Sequence, residues 1–143
     1  MNFAEWEQLI DADPDAATKK AAKTLDDDPE NPLALFIIAT VNSRAERYGL
    51  ASNLFKRITQ LKPERAEAWN NLGMCYSGMG MNLRARECFQ EAWKRSKIPA
   101  FAANMGMTYF SEREYKKAIE YYLKFLQVCK SINDSHGEAL AYN

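Results

Sequence analysis

Residues 69–89 read WNNLGMCYSGMGMNLRARECF, and the order of large and small side chains in this stretch decides the fold. The positions that matter are Trp69, Leu72, Gly73, Tyr76, Ala85 and Phe89. Apolar residues three or four positions apart lie on one face of a helix, and Gly78 and Gly80 are typical of a turn between helices. The stretch therefore predicts two helices that pack as an antiparallel hairpin.

The same pattern recurs along the chain with a period near 34 residues. Ala17, Ala51, Ala85 and Ala118 are separated by 34, 34 and 33 residues. The flanking segments repeat the other positions more loosely, as Leu35, Ile38, Ala39, Asn42 and Phe55 on one side and Ala102, Met105, Gly106, Tyr109 and Tyr122 on the other. A fixed period of this length indicates stacked copies of one helical unit, because a single helix pair cannot cover its own apolar surface.

The spacing W-x2-L-G-x2-Y followed by A-x3-F resembles the tetratricopeptide repeat at every one of these positions. The resemblance implies an all-α fold, a tetratricopeptide-repeat solenoid of antiparallel helix hairpins forming a right-handed superhelix. It also implies that the first helix of each pair lines a concave groove that holds a ligand.

The period divides the chain as a single array over residues 1–143. We expect a partial repeat at 3–30, three repeats at 32–65, 66–98 and 99–131, and the start of a further repeat at 137–143, so that the chain is a fragment of a longer array. The predicted helices cover 3–11, 14–27, 32–45, 48–60, 65–78, 82–96, 99–110 and 112–130. Asp13 is the expected N-cap of the second helix, Gly49 lies near the break in the first full pair, and 131–136 is expected to be a linker.

The composition restricts the classes of partner. Nineteen basic side chains balance nineteen acidic ones, so the chain has no net positive charge that would attract nucleic acid or an anionic membrane. No apolar stretch approaches the ~20 residues of a membrane span, and the N-terminus lacks a signal-peptide pattern. Cys75, Cys88 and Cys129 have no paired metal-ligand spacing and are interpreted as reduced core residues. We expect a cytoplasmic chain without metal or cofactor.

Catalytic patterns are missing from the sequence. The single histidine, His136, lies in the expected linker with no base or second ligand near it in sequence. Lys116, Lys117 and Lys124 alternate with tyrosines but also with glutamates, which favours a solvated helix face over a nucleic-acid site. The chain is therefore predicted not to be an enzyme.

The resemblance implies a set of groove residues on the first helices of the three full repeats. They are Leu33, Phe36, Thr40 and Arg44, then Asn70, Met74 and Ser77, then Ala103, Asn104, Met107 and Phe110. Most are apolar, which suits an apolar peptide or an amphipathic helix. An equal alternative is that several of them only complete the packing between repeats.

A carboxylate clamp, found in one subgroup of the family, is not expected. Its matching positions here are Phe36, Thr40, Asn71, Ala100 and Asn104, and only Asn71 keeps the clamp residue. The predicted function is a protein-interaction scaffold that binds a peptide or helical segment of a partner. The alternatives are a structural module that forms a homo-oligomer through its groove or uncapped ends, and the N-terminal region of a larger enzyme.

Overall fold

The computed structural model describes the backbone of residues 1–141 and the side chains of residues 1–133. The described backbone forms eight helices and no strand. They are α1 Phe3–Ala12, α2 Pro14–Asp27, α3 Pro32–Arg44, α4 Tyr48–Leu61, α5 Ala66–Gly78, α6 Asn82–Arg95, α7 Pro99–Ser111 and α8 Tyr115–Ala141. Each helix packs on the next, so that α1, α3, α5 and α7 form one layer and α2, α4, α6 and α8 form the other. The predicted all-α stack of helix hairpins is confirmed.

Helices α1, α2 and α3 each begin at a residue whose side chain accepts a hydrogen bond from a free backbone N–H group. Asn2 and Glu5 form a reciprocal capping box at the start of α1. The Asp13 carboxylate accepts a hydrogen bond from the Ala16 N–H and Pro14 occupies the first turn of α2, which confirms the predicted N-cap. Asn31 caps α3 in the same way through the Ala34 N–H.

The turn inside each full pair has a residue with left-handed backbone conformation at the same position, two residues before the second helix begins. The φ angles are 60° at Glu46, 77° at Gly80 and 62° at Arg113. Only the middle repeat places glycine there, although the left-handed region disfavours residues with a Cβ. Gly49, predicted near the break of the first full pair, lies just after this turn, in the first turn of α4.

Small residues set the distance between the two helices of a pair. A Cβ on Gly73 would lie 2.6 Å from Cε1 of Phe89 and 3.0 Å from the Ala85 carbonyl oxygen. A Cβ on Gly106 would likewise lie 2.7 Å from Cε1 of Tyr122. Ala85 is fully buried at the same contact. The alternation of large and small residues in the sequence therefore corresponds to the contacts between the two helices of each hairpin.

The last helix differs from the prediction. We expected it to end at residue 130 and a linker to follow at 131–136, but α8 continues to Ala141. The segment SINDSH contains neither proline nor glycine, so nothing in it breaks the backbone hydrogen bonding of the helix. The His136 side chain and residues 142–143 lie outside the described residues.

Candidate peptide-binding groove

The predicted groove residues lie on one face of each first helix, where their spacing of three or four residues places them. Exposure is greatest for the large side chains toward the C-terminal end: 50% for Met74 and 60% for Met107. Leu33 is 36% exposed, and Phe36 is half-buried beside it. Three neighbouring depressions follow one another along this face.

The first depression is an apolar pocket of about 290 Å³ at the N-terminal end of the groove. Phe3, Leu33 and Phe36 form its apolar wall, and Arg65 and Glu67 complete its lining. The Phe36 ring lies 6.1 Å from the Phe3 ring and 5.6 Å from the Phe55 ring, measured between centroids. Since Phe36 is held on both sides by aromatic rings, the packing of the protein itself fixes this part of the pocket wall.

Phe3 lines the first depression but was not among the residues predicted for the groove. Phe3 lies three positions before Trp6 and seven before Ile10, so helical spacing places all three on one apolar stripe of α1. Trp6 and Ile10 are buried, but Phe3 is 51% exposed and turns toward Phe36. Helical spacing alone could not separate these positions: Phe3 lies in the first turn of α1 beside Phe36, whereas Trp6 and Ile10 pack with residues of α2 and α3.

The second depression, of about 170 Å³, is more polar. Thr40, Ser43, Arg44 and Asn71 line it together with Met74. The Thr40 hydroxyl donates a hydrogen bond to the Phe36 carbonyl oxygen, and the Arg44 guanidinium forms an ion pair with Asp11. Both predicted polar groups are therefore engaged within the protein rather than turned freely into the groove.

The third depression, of about 110 Å³, continues the second because Met74 lines both. Ser77, Asn104 and Met107 form its other walls over the buried Phe89 ring. The Asn104 amide donates a 2.8 Å hydrogen bond to the Asn70 side-chain oxygen, which joins α5 to α7 across the groove floor. This end offers two flexible thioethers around a fixed amide pair.

Three predicted residues line none of these depressions. Asn70 is joined to the third one only through its hydrogen bond with Asn104. Phe110, near the end of α7, is 58% exposed. Its ring packs edge-on against Tyr115 at the start of α8, with ring centroids 5.5 Å apart. Ala103 is half-buried and lines none of the three depressions. The structure therefore brings most of the predicted set together and separates Phe110 and Ala103 from it.

The cysteines lie away from any reactive arrangement. Burial raises the pKa of Cys88 to about 12, with a smaller contribution from Glu87 and Glu91. Burial also raises the pKa of Cys75, against the opposing hydrogen bond with Ser43. Both thiols are therefore protonated near neutral pH, which makes them poor nucleophiles and poor metal ligands. Among the described residues, no group of three or more His, Cys, Asp or Glu is placed to hold a metal ion.

Comparison with known proteins gives a family match over two of the helix pairs. The model of the tetratricopeptide repeat family matches residues 66–97 and 101–131. The chain is 29% identical over 118 residues to the type IV pilus assembly protein PilF of Pseudomonas aeruginosa. That match covers 80% of this chain and 47% of PilF, so the chain spans about half the length of this relative.

Solved structures of MamA have the same fold. A crystal structure of MamA superposes with a TM-score of 0.83 at 20% identity, covering 90% of this chain and 77% of MamA. MamA from residue 41 to its end, from Desulfovibrio magneticus RS-1, gives a TM-score of 0.82 at 21% identity, covering 88% and 72%. None of the helices within the described residues is both long and apolar enough to cross a membrane.

Proposed function

This chain is a tetratricopeptide-repeat protein, and from that premise we propose that its concave groove binds an apolar or amphipathic segment of a partner polypeptide. Tetratricopeptide arrays are protein-interaction scaffolds. In this array we propose that the concave face, lined by the first helix of each pair, makes the contact. The observation that carries it is the exposure of Met74 and Met107 at one end of the groove and the open Phe3 and Phe36 pocket at the other.

The chemistry of the groove favours an apolar ligand over a charged one. Arg44 forms an ion pair with Asp11, and Asn70 pairs with Asn104. A ligand carboxylate would therefore find few unused cationic donors along the floor. Methionine side chains adapt to ligands of different shape, and aromatic walls provide broad apolar contact. We infer a ligand with two apolar anchors, one for each end.

We propose that the chain acts by binding rather than by catalysis. The buried, protonated thiols supply no nucleophile at neutral pH, and the groove contains no histidine or paired carboxylate among its described lining residues. The three unpaired cysteines support a reducing compartment such as the cytoplasm. PilF is named for pilus assembly, and a scaffold that recruits a partner into an assembly is consistent with the present groove.

A peptide library tests this proposal, because it offers the groove many candidate ligands at once. The chain is screened against displayed 15-residue peptides, and selected peptides are titrated against three proteins, the unmodified chain and two variants, by fluorescence anisotropy. The groove variant carries Met74→Asp and Met107→Asp, and the control carries Leu83→Asp, since Leu83 is 66% exposed on α6 outside the groove. We expect selected peptides to carry apolar residues at helical spacing and to lose at least tenfold in affinity for the groove variant alone. Equal affinity for all three proteins would contradict the proposal.

A further inference from the structure

A cavity of about 410 Å³ lies between α4 and α6, and residues of α5 complete its lining. Trp69, Leu72 and Tyr76 supply the α5 part. At about 100° of rotation per residue, these positions lie on the side of α5 away from the groove residue Met74. The cavity is therefore separate from the groove, and it is larger than each of the three groove depressions.

The cavity exists because two buried positions carry small side chains at this one of the three gaps between second helices. Thr59 on α4 and Cys88 on α6 line it. The repeat spacings of 34 and 33 residues give the equivalents of these two positions in the neighbouring gaps, which are Leu25 and Leu54 in one and Trp93 and Tyr121 in the other. All four equivalents pack against core clusters. Threonine and cysteine thus leave open the space that larger side chains occupy in the other two gaps.

The aromatic walls of the cavity are held in place by the protein. The Trp69 indole N–H donates a 2.9 Å hydrogen bond to the Pro63 carbonyl oxygen, and the Arg95 guanidinium lies 4.6 Å from the Trp69 ring centroid. Arg95 is fixed in turn by its ion pair with Glu91. Tyr76 packs against two core clusters. Since the polar atom of Trp69 is already paired, its ring can offer apolar contact to a ligand without an unpaired N–H.

The rim of the cavity carries more positive than negative charge. Lys56 comes from α4 and Arg84 comes from α6, so both walls contribute a cation. Neither cation belongs to an ion pair found among residues 1–133. Glu87 is the one carboxylate among the described lining residues. A ligand carboxylate at the rim would therefore find two cationic donors for charge-assisted hydrogen bonds.

We propose that this cavity binds an aromatic group that carries a carboxylate. The ring lies against Trp69 and Tyr76, and the carboxylate reaches Lys56 and Arg84 at the rim. The volume falls in the range of about 300–1,000 Å³ that is usual for small-molecule sites. A free aromatic acid and an aromatic residue beside an acidic one in a polypeptide share this chemistry. The site does not depend on ligand binding in the groove.

Nuclear magnetic resonance of the ¹⁵N-labelled chain tests the proposal. The first probe is 3-phenylpropionate, compared with its uncharged amide. The second is a blocked tetrapeptide that contains Phe-Glu, compared with the same peptide containing Phe-Gln. Each is titrated to about 20 mM, because ligands of this size are expected to bind in the millimolar range.

The expected result is a local and charge-dependent response. At least one of the two carboxylate probes should shift the indole N–H resonance of Trp69 and leave those of Trp6 and Trp93 unchanged. It should also bind about fivefold more tightly than its amide, because charge-assisted hydrogen bonds are stronger than neutral ones. A response to 3-phenylpropionate alone would identify a small-molecule site, and a response to the peptide alone would identify a polypeptide site.

Two sets of variants separate the rim from the cavity. Lys56→Gln with Arg84→Gln, both at exposed positions, should remove the preference for the carboxylate. The matched control is Lys117→Gln, since Lys117 lies 5.6 Å from the Tyr109 ring just as Arg84 lies 5.9 Å from the Tyr76 ring one repeat earlier. This control should keep the preference.

A filled cavity should bind neither probe. Thr59→Leu with Cys88→Leu introduces the residues found at the equivalent positions of the first gap, and circular dichroism checks that this variant is folded. If it does not fold, the rim variant and its control still decide the question, because their side chains are exposed.

Other outcomes overturn the proposal. These are the absence of a Trp69 shift with both carboxylate probes, equal affinity for each acid and its amide, and an equal loss of preference in Lys117→Gln. Shifts confined to the methyl groups of Met74 and Met107 would also overturn it, because the probes would then bind in the groove.

Discussion

Replacing Gly73 with alanine tests whether the helix contacts, rather than helix propensity, decide the stability of the second pair. In an isolated helix the change gains up to about 1 kcal/mol. Here the new methyl carbon would lie 2.6 and 2.7 Å from two ring atoms of Phe89 and 3.0 Å from the backbone oxygen of Ala85. Phe89 is 2% exposed and packs with Ala85 and Met105, so displacement of its ring would disturb that packing. Overpacking of this kind costs about 1–3 kcal/mol, and the net expectation is a loss of about 1–2 kcal/mol.

The assay is urea denaturation followed by circular dichroism at 222 nm, with Gly49→Ala as the matched control. Gly49 lies in the first turn of α4, and a Cβ there meets nothing within 4 Å. The control should therefore be as stable as the unmodified chain or more stable by up to about 1 kcal/mol. A Gly73→Ala variant at least as stable as the control would refute the close-contact argument.

Two further predictions concern the turns and the thiols. Arg113→Gly should raise the free energy of unfolding by about 0.5–1 kcal/mol, because glycine removes the strain of a left-handed residue. Gly80→Ala should lower it by about 1 kcal/mol for the same reason. Urea denaturation measures both changes, and the same sign for both would contradict the turn assignment. At pH 8, a thiol of pKa about 12, such as that of Cys88, is thiolate in only ~10⁻⁴ of molecules. Cys88 and the buried Cys75, whose pKa is also raised, should therefore resist Ellman's reagent until the chain unfolds. The half-buried Cys129 should react first. Release of three equivalents at one fast rate from the folded protein would show that the two buried thiols are accessible.

The hairpins could be predicted from the sequence because their contacts are local and repeated. Gly73 must be small where the Phe89 ring crosses it, and the same pair returns as Gly106 and Tyr122 one repeat later. Such a constraint repeats in the sequence with the period of the structure. The predicted tetratricopeptide-repeat solenoid is therefore confirmed.

Features of α1 and α8 were harder to predict, because they do not recur with the period of the repeat. Phe3 fits the apolar stripe of α1 but is exposed in the groove, and α8 continues through a segment that resembled a linker. Spacing alone also cannot separate the groove position of Met107 from the lateral position of Phe110, which packs on Tyr115 instead. That the groove binds a partner remains a prediction, as do the repeat boundaries.

The most direct test of the central claim is site-specific photo-crosslinking. A photoreactive phenylalanine analogue is placed at Met74, at Met107 or, as a control outside the groove, at Leu83, and each protein is irradiated in an extract of the source organism. We predict that the two groove positions yield the same crosslinked protein, that the Leu83 position does not, and that a selected library peptide competes for the adduct. Adducts of equal yield from all three positions, or from Leu83 alone, would contradict the claim that the groove is the binding surface.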